Sequence, residues 1–138
     1  MSPISTLPVQ HRHAVRVYWE DTDAGGVVFY ANYLKFFERA RTEWLRALGF
    51  EQQRLKDEQG VMFVVTDTSV RYLRPARLDD QLTLTVSVRH AARVSMQIAQ
   101  QAWRGDELLA EGEIRIGCVA AGTFRPERIP KAILDTLE

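Results

Sequence analysis

The residues able to do chemistry lie close together in VYWEDTDAGGVVFYANYLKFFERARTEWLRALG, residues 17 to 49. Glu20, Asp21 and Asp23 supply carboxylates, and Gly25 and Gly26 let the backbone turn sharply and approach a ligand closely. An ionised carboxylate can act as nucleophile or base. Beginning about seven residues after Asp23, the pattern reads as a helix start. Such a start carries free backbone N–H groups and roughly half a positive charge. That is what the oxygen of a carbonyl under attack requires, and the Tyr30 N–H is the expected main donor. Losing one donor of this kind typically costs on the order of 10²–10³ in rate. Acid, tight turn and helix start in that order can act on one carbonyl.

The Asp-Thr-Asp spacing invites a metal reading, which the following residues oppose. A calcium loop would need a ligand where Gly25 stands and a glutamate in place of Asn32. No metal is expected. His11, His13 and His90 carry no ligand or triad spacing, and Cys118 on an apolar strand reads as a small buried residue.

Elements must hold these groups. Residues 12 to 20 alternate, with Val15, Val17 and Trp19 opposite Arg16, Tyr18 and Glu20, the pattern of a strand. From about Tyr30 to Leu48 the period becomes helical: Tyr33, Phe37, Ala40, Trp44 and Leu48 share a face, Asn32 is the expected N-cap and Gly49 the stop. The aromatic members of that face are core, and one or two also line a pocket. Four strands follow, over 61–73, around Leu82–Val88, after the turn at His90–Arg93, and from Leu108 to Cys118. A short helix or tail is expected over 130–138, and residues 1–11 read as a flexible leader to one domain spanning 1–138. The expected class is α+β, a five-stranded antiparallel sheet around one long helix. A single helix cannot cover both sides of such a sheet, and an edge strand is left over; both points favour a homodimer or homotetramer.

Bulk composition narrows the partners. The 138 residues, 46% hydrophobic and 26% charged, fit an ordinary soluble domain. Lys plus Arg and Asp plus Glu number 18 each, so no global field draws nucleic acid or anionic membrane. No apolar run reaches signal-peptide or membrane-spanning length, and a single cysteine fits a reducing compartment, so a cytoplasmic protein without membrane insertion is expected.

The stretch RVYWEDTDAGGVVFYANYLKFFERARTEWL resembles the N-terminal signature of the hotdog-fold acyl-CoA thioesterases of the 4-hydroxybenzoyl-CoA type. The run Glu-Asp-Thr-Asp-Ala-Gly-Gly-Val-Val is most similar to the bacterial thioesterases associated with the Tol-Pal system. This resemblance implies a hotdog fold, active sites shared across a dimer interface, Asp23 as the catalytic carboxylate, and Asp21 outside the chemistry. Tyr30 departs from Tol-Pal-type relatives that carry histidine there. A neutral tyrosine cannot serve as a base at pH 7, so it fits the 4-hydroxybenzoyl type instead. The implied reaction is hydrolysis of a short-chain or aromatic acyl-CoA to free acid and CoA, with no cofactor. Attack by Asp23 through a mixed anhydride is favoured, because a carboxylate facing a helix start is a weak base.

The phosphates of CoA call for a local basic patch, for which Arg71, Arg74 and Arg93 are the candidates, with Arg77 and Arg89 beside them. For any one of these, a solvated charge on a strand edge is the plainer reading. The alternative function is a non-catalytic module that binds acyl-CoA or acyl carrier protein. A hotdog dehydratase would need a His-x-x-x-x-Pro-Gly setting, absent here.

Overall fold

The structure is a computed structural model describing residues 2–137; Met1 and Glu138, the outermost residues of the expected leader and tail, lie outside the described residues. Strands β1 (His11–Arg16), β2 (Val61–Tyr72), β3 (Gln81–Ala91), β4 (Ser95–Arg104) and β5 (Glu107–Ala120) form one antiparallel sheet in the order β1-β3-β4-β5-β2. The short turns after β3 and β4 make hairpin neighbours, as expected from the sequence. The first two strands take opposite edges. Helix α1 (Asn32–Ala47) joins them, and its 16 residues span about 24 Å, comparable to the width of the sheet.

The core lies between α1 and one face of the sheet. Phe36, Phe37, Ala40 and Trp44 meet Leu82, Leu84 and Val86 of β3, Met96, Ile98 and Ala102 of β4, and Ile114, Ile116 and Cys118 of β5 within one buried cluster. Each of the large side chains contributes about 1.5–3 kcal/mol by leaving water. On β5 it is Leu109, not Leu108, that is fully buried, because the β4–β5 register shifts at Ala102/Trp103. Gly112 brings the sheet close to the helix: a Cβ there would stand 3.3 Å from the Phe37 ring, from Ile114 Cδ1 and from the Ser69 carbonyl.

Several expectations need correction. The first strand ends at Arg16, and Trp19 belongs to a 3₁₀ turn, Trp19–Asp21, with 80% of its surface exposed. The cause is local: Asp21 Oδ2 accepts the Tyr18 N–H at 2.8 Å and breaks the alternation. The leader residues contact the sheet and its strands. Ile4 is buried, Gln10 N–H donates to Val86 O at 2.8 Å, and Arg89 Nη1 donates to Ser2 O at 2.6 Å. Helix α2 (Gln52–Gln59) was not expected; it buries only Leu55 and ends at Gly60 with φ 68. The short helix after Pro130 is α3 (Lys131–Asp135), anchored by buried Ile133.

Candidate active site

Between β1 and α1 the chain doubles back as a small ribbon. Thr22 pairs with Val28, Asp23 N–H donates to Val27 O at 2.9 Å, and Phe29 N–H donates to Asp21 O at 3.0 Å. Asp23 begins the turn that closes this ribbon, and its Oδ1 accepts the Gly25 N–H at 2.8 Å. Geometry favours glycine at both positions, by contact at the first and by backbone conformation at the second. A Cβ at Gly25 would sit 3.2 Å from Asp23 Oδ1, and Gly26 has φ +79. Asp23 itself is exposed at the surface of the protomer.

Asp21 is occupied otherwise. Its carboxylate holds the Tyr18 N–H, and its carbonyl accepts both Phe29 N–H and Asn32 Nδ2, the latter at 2.9 Å. These bonds tie the helix start to the strand side of the ribbon. They also correct the expected cap: Asn32 is the first helical residue, Ala31 precedes it, and no side chain caps the helix. Among the described residues nothing accepts the N–H of Tyr30 or of Ala31. Two donors therefore stand open where the helix dipole is positive.

The Tyr30 peptide is braced from β2. Tyr72 Oη donates to Tyr30 O at 3.0 Å, and the two rings meet edge to face with centroids 6.1 Å apart. Tyr33 and Phe29 extend this aromatic group, with Tyr33 5.5 Å from Tyr72 and Phe29 4.8 Å from Tyr30. Burial raises the Tyr72 phenol above its ordinary range, and neighbouring Tyr30 adds to this, so the hydroxyl keeps its proton as a donor. No feature of the sequence singled out Tyr72, which is 42 residues from Tyr30.

The arginines do not form one patch within the protomer. Arg74 and Arg77 share the sheet end that carries the Asp23 turn, where Val27 bridges to Arg77. Arg74 pairs with Glu107 at 3.3 Å and remains largely exposed. Arg71 pairs with Glu111 at 3.3 Å and lines a surface cavity with Ser2, Arg89 and Glu113. Arg89 is consumed by a two-pronged pair with Glu113, at 2.9 and 2.8 Å. Arg93 lies in the β3–β4 turn at the opposite end of the sheet, roughly 30 Å away by the length of β4.

The ribbon thus carries an exposed carboxylate on its glycine turn and leads directly into an uncapped helix start. Comparisons with known proteins identify the family. Residues 25–111 match the family described as the thioesterase superfamily. The chain is 44% identical over 119 residues to an acyl-CoA thioesterase YbgC of Haemophilus influenzae, covering 86% of this chain and 88% of that protein. It is also 44% identical over 124 residues to an acyl-CoA thioester hydrolase YbgC of Escherichia coli, covering 89% and 92% of the two chains. A crystal structure of a probable thioesterase from Bartonella henselae superposes with a TM-score of 0.85 at 32% identity, covering 89% of this chain and all of the other. Five antiparallel strands around one long helix are thus the hotdog architecture of these relatives, and this chain belongs to the thioesterase superfamily.

Proposed function

We propose that the protein hydrolyses short-chain or aromatic acyl-CoA thioesters to free acid and CoA. The observation that carries this reading is the open Tyr30 N–H on the same ribbon as the Asp23 carboxylate. In the proposed reaction Asp23 attacks the thioester carbonyl, whose oxygen becomes negative and accepts the Tyr30 N–H, with Ala31 N–H as second donor. The tetrahedral adduct collapses by breaking the C–S bond, so CoA leaves as thiolate and an acyl-aspartyl anhydride remains. Water then cleaves the anhydride, giving the acid and restoring the carboxylate. Tyr72, by bonding the Tyr30 carbonyl, fixes the plane of the Tyr30–Ala31 peptide, which carries the Ala31 N–H and follows directly on the Tyr30 N–H.

Around this chemistry we place Arg74 and Arg77 as the residues that meet CoA phosphates from the protomer carrying Asp23, while Arg71 and Arg93 could serve only a ligand that crosses to another chain. A homodimer is part of the proposal. Strand β2 offers a 12-residue open edge beside exposed Phe29, Tyr30, Leu34 and Tyr72. Among the described residues no helix is long and apolar enough to cross a membrane. The free, buried Cys118 fits a reducing, cytoplasmic setting.

Thiol release measured over a panel of acyl-CoA chain lengths and benzoyl-CoA tests the reading. Wild type is expected to turn over at least one member of the panel, and Asp23→Asn to lose at least a hundredfold in kcat while unfolding at the wild-type temperature. Tight binding with no turnover by wild type would favour an acyl-CoA or acyl-carrier-protein binding module. An active Asp23→Asn would remove Asp23 from the chemistry.

A further inference from the structure

The Asp23–Val28 turn belongs to no strand of the sheet, so something else must set its position against α1 and β2. Beside the Asn32 bond to Asp21 and the buried Val28 side chain, its backbone is held by the loop that enters β3. Val28 N–H donates to Ala76 O at 2.8 Å, and Val27 bridges to Arg77. The same loop holds the end of β1, since Val17 N–H donates to Asp80 O and Asp79 N–H donates to Val17 O, both at 2.9 Å.

That loop is in turn organised by one carboxylate. Asp80 Oδ2 accepts the Arg77 N–H at 2.8 Å and Arg104 Nη1 at 2.8 Å. Arg104 Nη1 also donates to Pro75 O at 3.2 Å, and its other nitrogens reach Glu107 Oε1 at 3.3 and 3.4 Å. Both side chains are half-buried. Asp79 adopts φ 70, a left-handed conformation that aspartate tolerates better than most residues, and Arg16 Nη1 donates to its carbonyl at 2.6 Å. Burial by itself pushes the Asp80 carboxyl up, but the Arg77 N–H and the Arg104 guanidinium outweigh it and hold the group below its ordinary range, ionised at neutral pH.

We infer that Asp80 and Arg104 are positioning residues: their ion pair fixes the 75–80 loop, and through Ala76 and Arg77 that loop sets the Asp23 turn in register with the Tyr30 amide. The inference rests on the reading of Asp23 and Tyr30 as the reacting pair. Neither positioning residue touches the substrate; both act through the Val27–Arg77 bridge and the Val28–Ala76 bond. A displacement of about 1 Å in a reacting group costs on the order of a hundredfold in rate. Loosening the loop should therefore reduce kcat with little change in KM. A purely structural ion pair would lower the unfolding temperature and leave kcat per folded molecule alone.

Steady-state kinetics on the fastest-cleaved acyl-CoA, with amide exchange followed by NMR, test the inference on the full chain. Asp80→Ala and Arg104→Ala are expected to lower kcat at least tenfold with KM within twofold of wild type. Asp80→Asn keeps an oxygen for the Arg77 N–H and should lose less than Asp80→Ala; it also serves if the alanine variant fails to fold. Arg104→Lys should recover part of the Arg104→Ala loss. In each damaged variant the Val28 amide should exchange at least tenfold faster while Ala40, inside α1, is unchanged. If wild type cleaves no acyl-CoA, the functional reading falls and the exchange result alone decides the clamp. A kcat within twofold of wild type in the alanine variants, or a Val28 amide that exchanges no faster, overturns it.

Discussion

In the proposed reaction Tyr30 acts through its backbone N–H and not through its ring. Its N–H is open while its carbonyl receives the Tyr72 hydroxyl at 3.0 Å, so the two ends of the residue are bound to different tasks. Tyr72→Phe isolates the second task, because it keeps the edge-to-face packing on Tyr30 and Tyr33 and removes one donor. A hydrogen bond of this kind is worth about 0.5–1.5 kcal/mol, which corresponds to roughly a two- to tenfold fall in kcat with substrate affinity nearly unchanged. An unaltered kcat in Tyr72→Phe would mean that the helix start holds the peptide unaided. Residue types and short spacing are what single out the proposed Asp23, Gly25, Gly26 and Tyr30 group in the sequence. Tyr72 and the Asp80–Arg104 pair were not visible, since only the sheet register carries them to the ribbon.

At the scale of elements, α1 is fixed to the sheet by more than apolar contact. Arg41 is buried on the inner side of the helix, where its Nη1 donates to Gln100 Oε1 at 2.8 Å. Gln100, on β4 and fully buried, returns Nε2 to Phe37 O at 3.1 Å and to Thr85 O at 3.2 Å. Gln100→Leu leaves the Arg41 charge and two carbonyls without that partner. It should destabilise the fold by about 3–5 kcal/mol in equilibrium urea unfolding. Adding Arg41→Met should recover much of this loss, because an apolar pair of similar volume needs no partner. Equal losses in the single and double variants would show that the charge is not what Gln100 serves.

The elements themselves were legible to unequal degrees. Strand β3 and helix α1 announce themselves because one face of each is apolar at the period of its backbone. Helix α2 has no such stripe; Arg54 pairs with Glu51 and Glu58, and one leucine anchors it. The alternation through Trp19 misled because a single carboxylate, Asp21, outcompeted the strand ladder for the Tyr18 N–H. The leader has no pattern to read, and its contacts, buried Ile4 and the Ser2 carbonyl on Arg89, depend on residues far along the chain.

For the whole molecule, the decisive question is what covers the open flank. Strand β2 has twelve residues with a ladder on one side only, and Val65 on it is 51% exposed. Tyr30 and Tyr72 stand beside that edge at 62% and 46% exposure, so in one protomer the proposed oxyanion site opens directly to water. Water at that position weakens every electrostatic interaction the site would make with a developing oxyanion. A second copy joined edge to edge at β2 would satisfy the unpaired backbone groups and wall in the same aromatic residues. Sedimentation at micromolar concentration is therefore expected to give a species of at least twice the chain mass. Val65→Asp, which would set two like charges near each other at such an edge, should shift the species toward monomer and lower turnover at least tenfold, with the helical signal in circular dichroism retained. Activity that stays constant per chain while the protein dilutes from dimer to monomer would show instead that each protomer closes its own site.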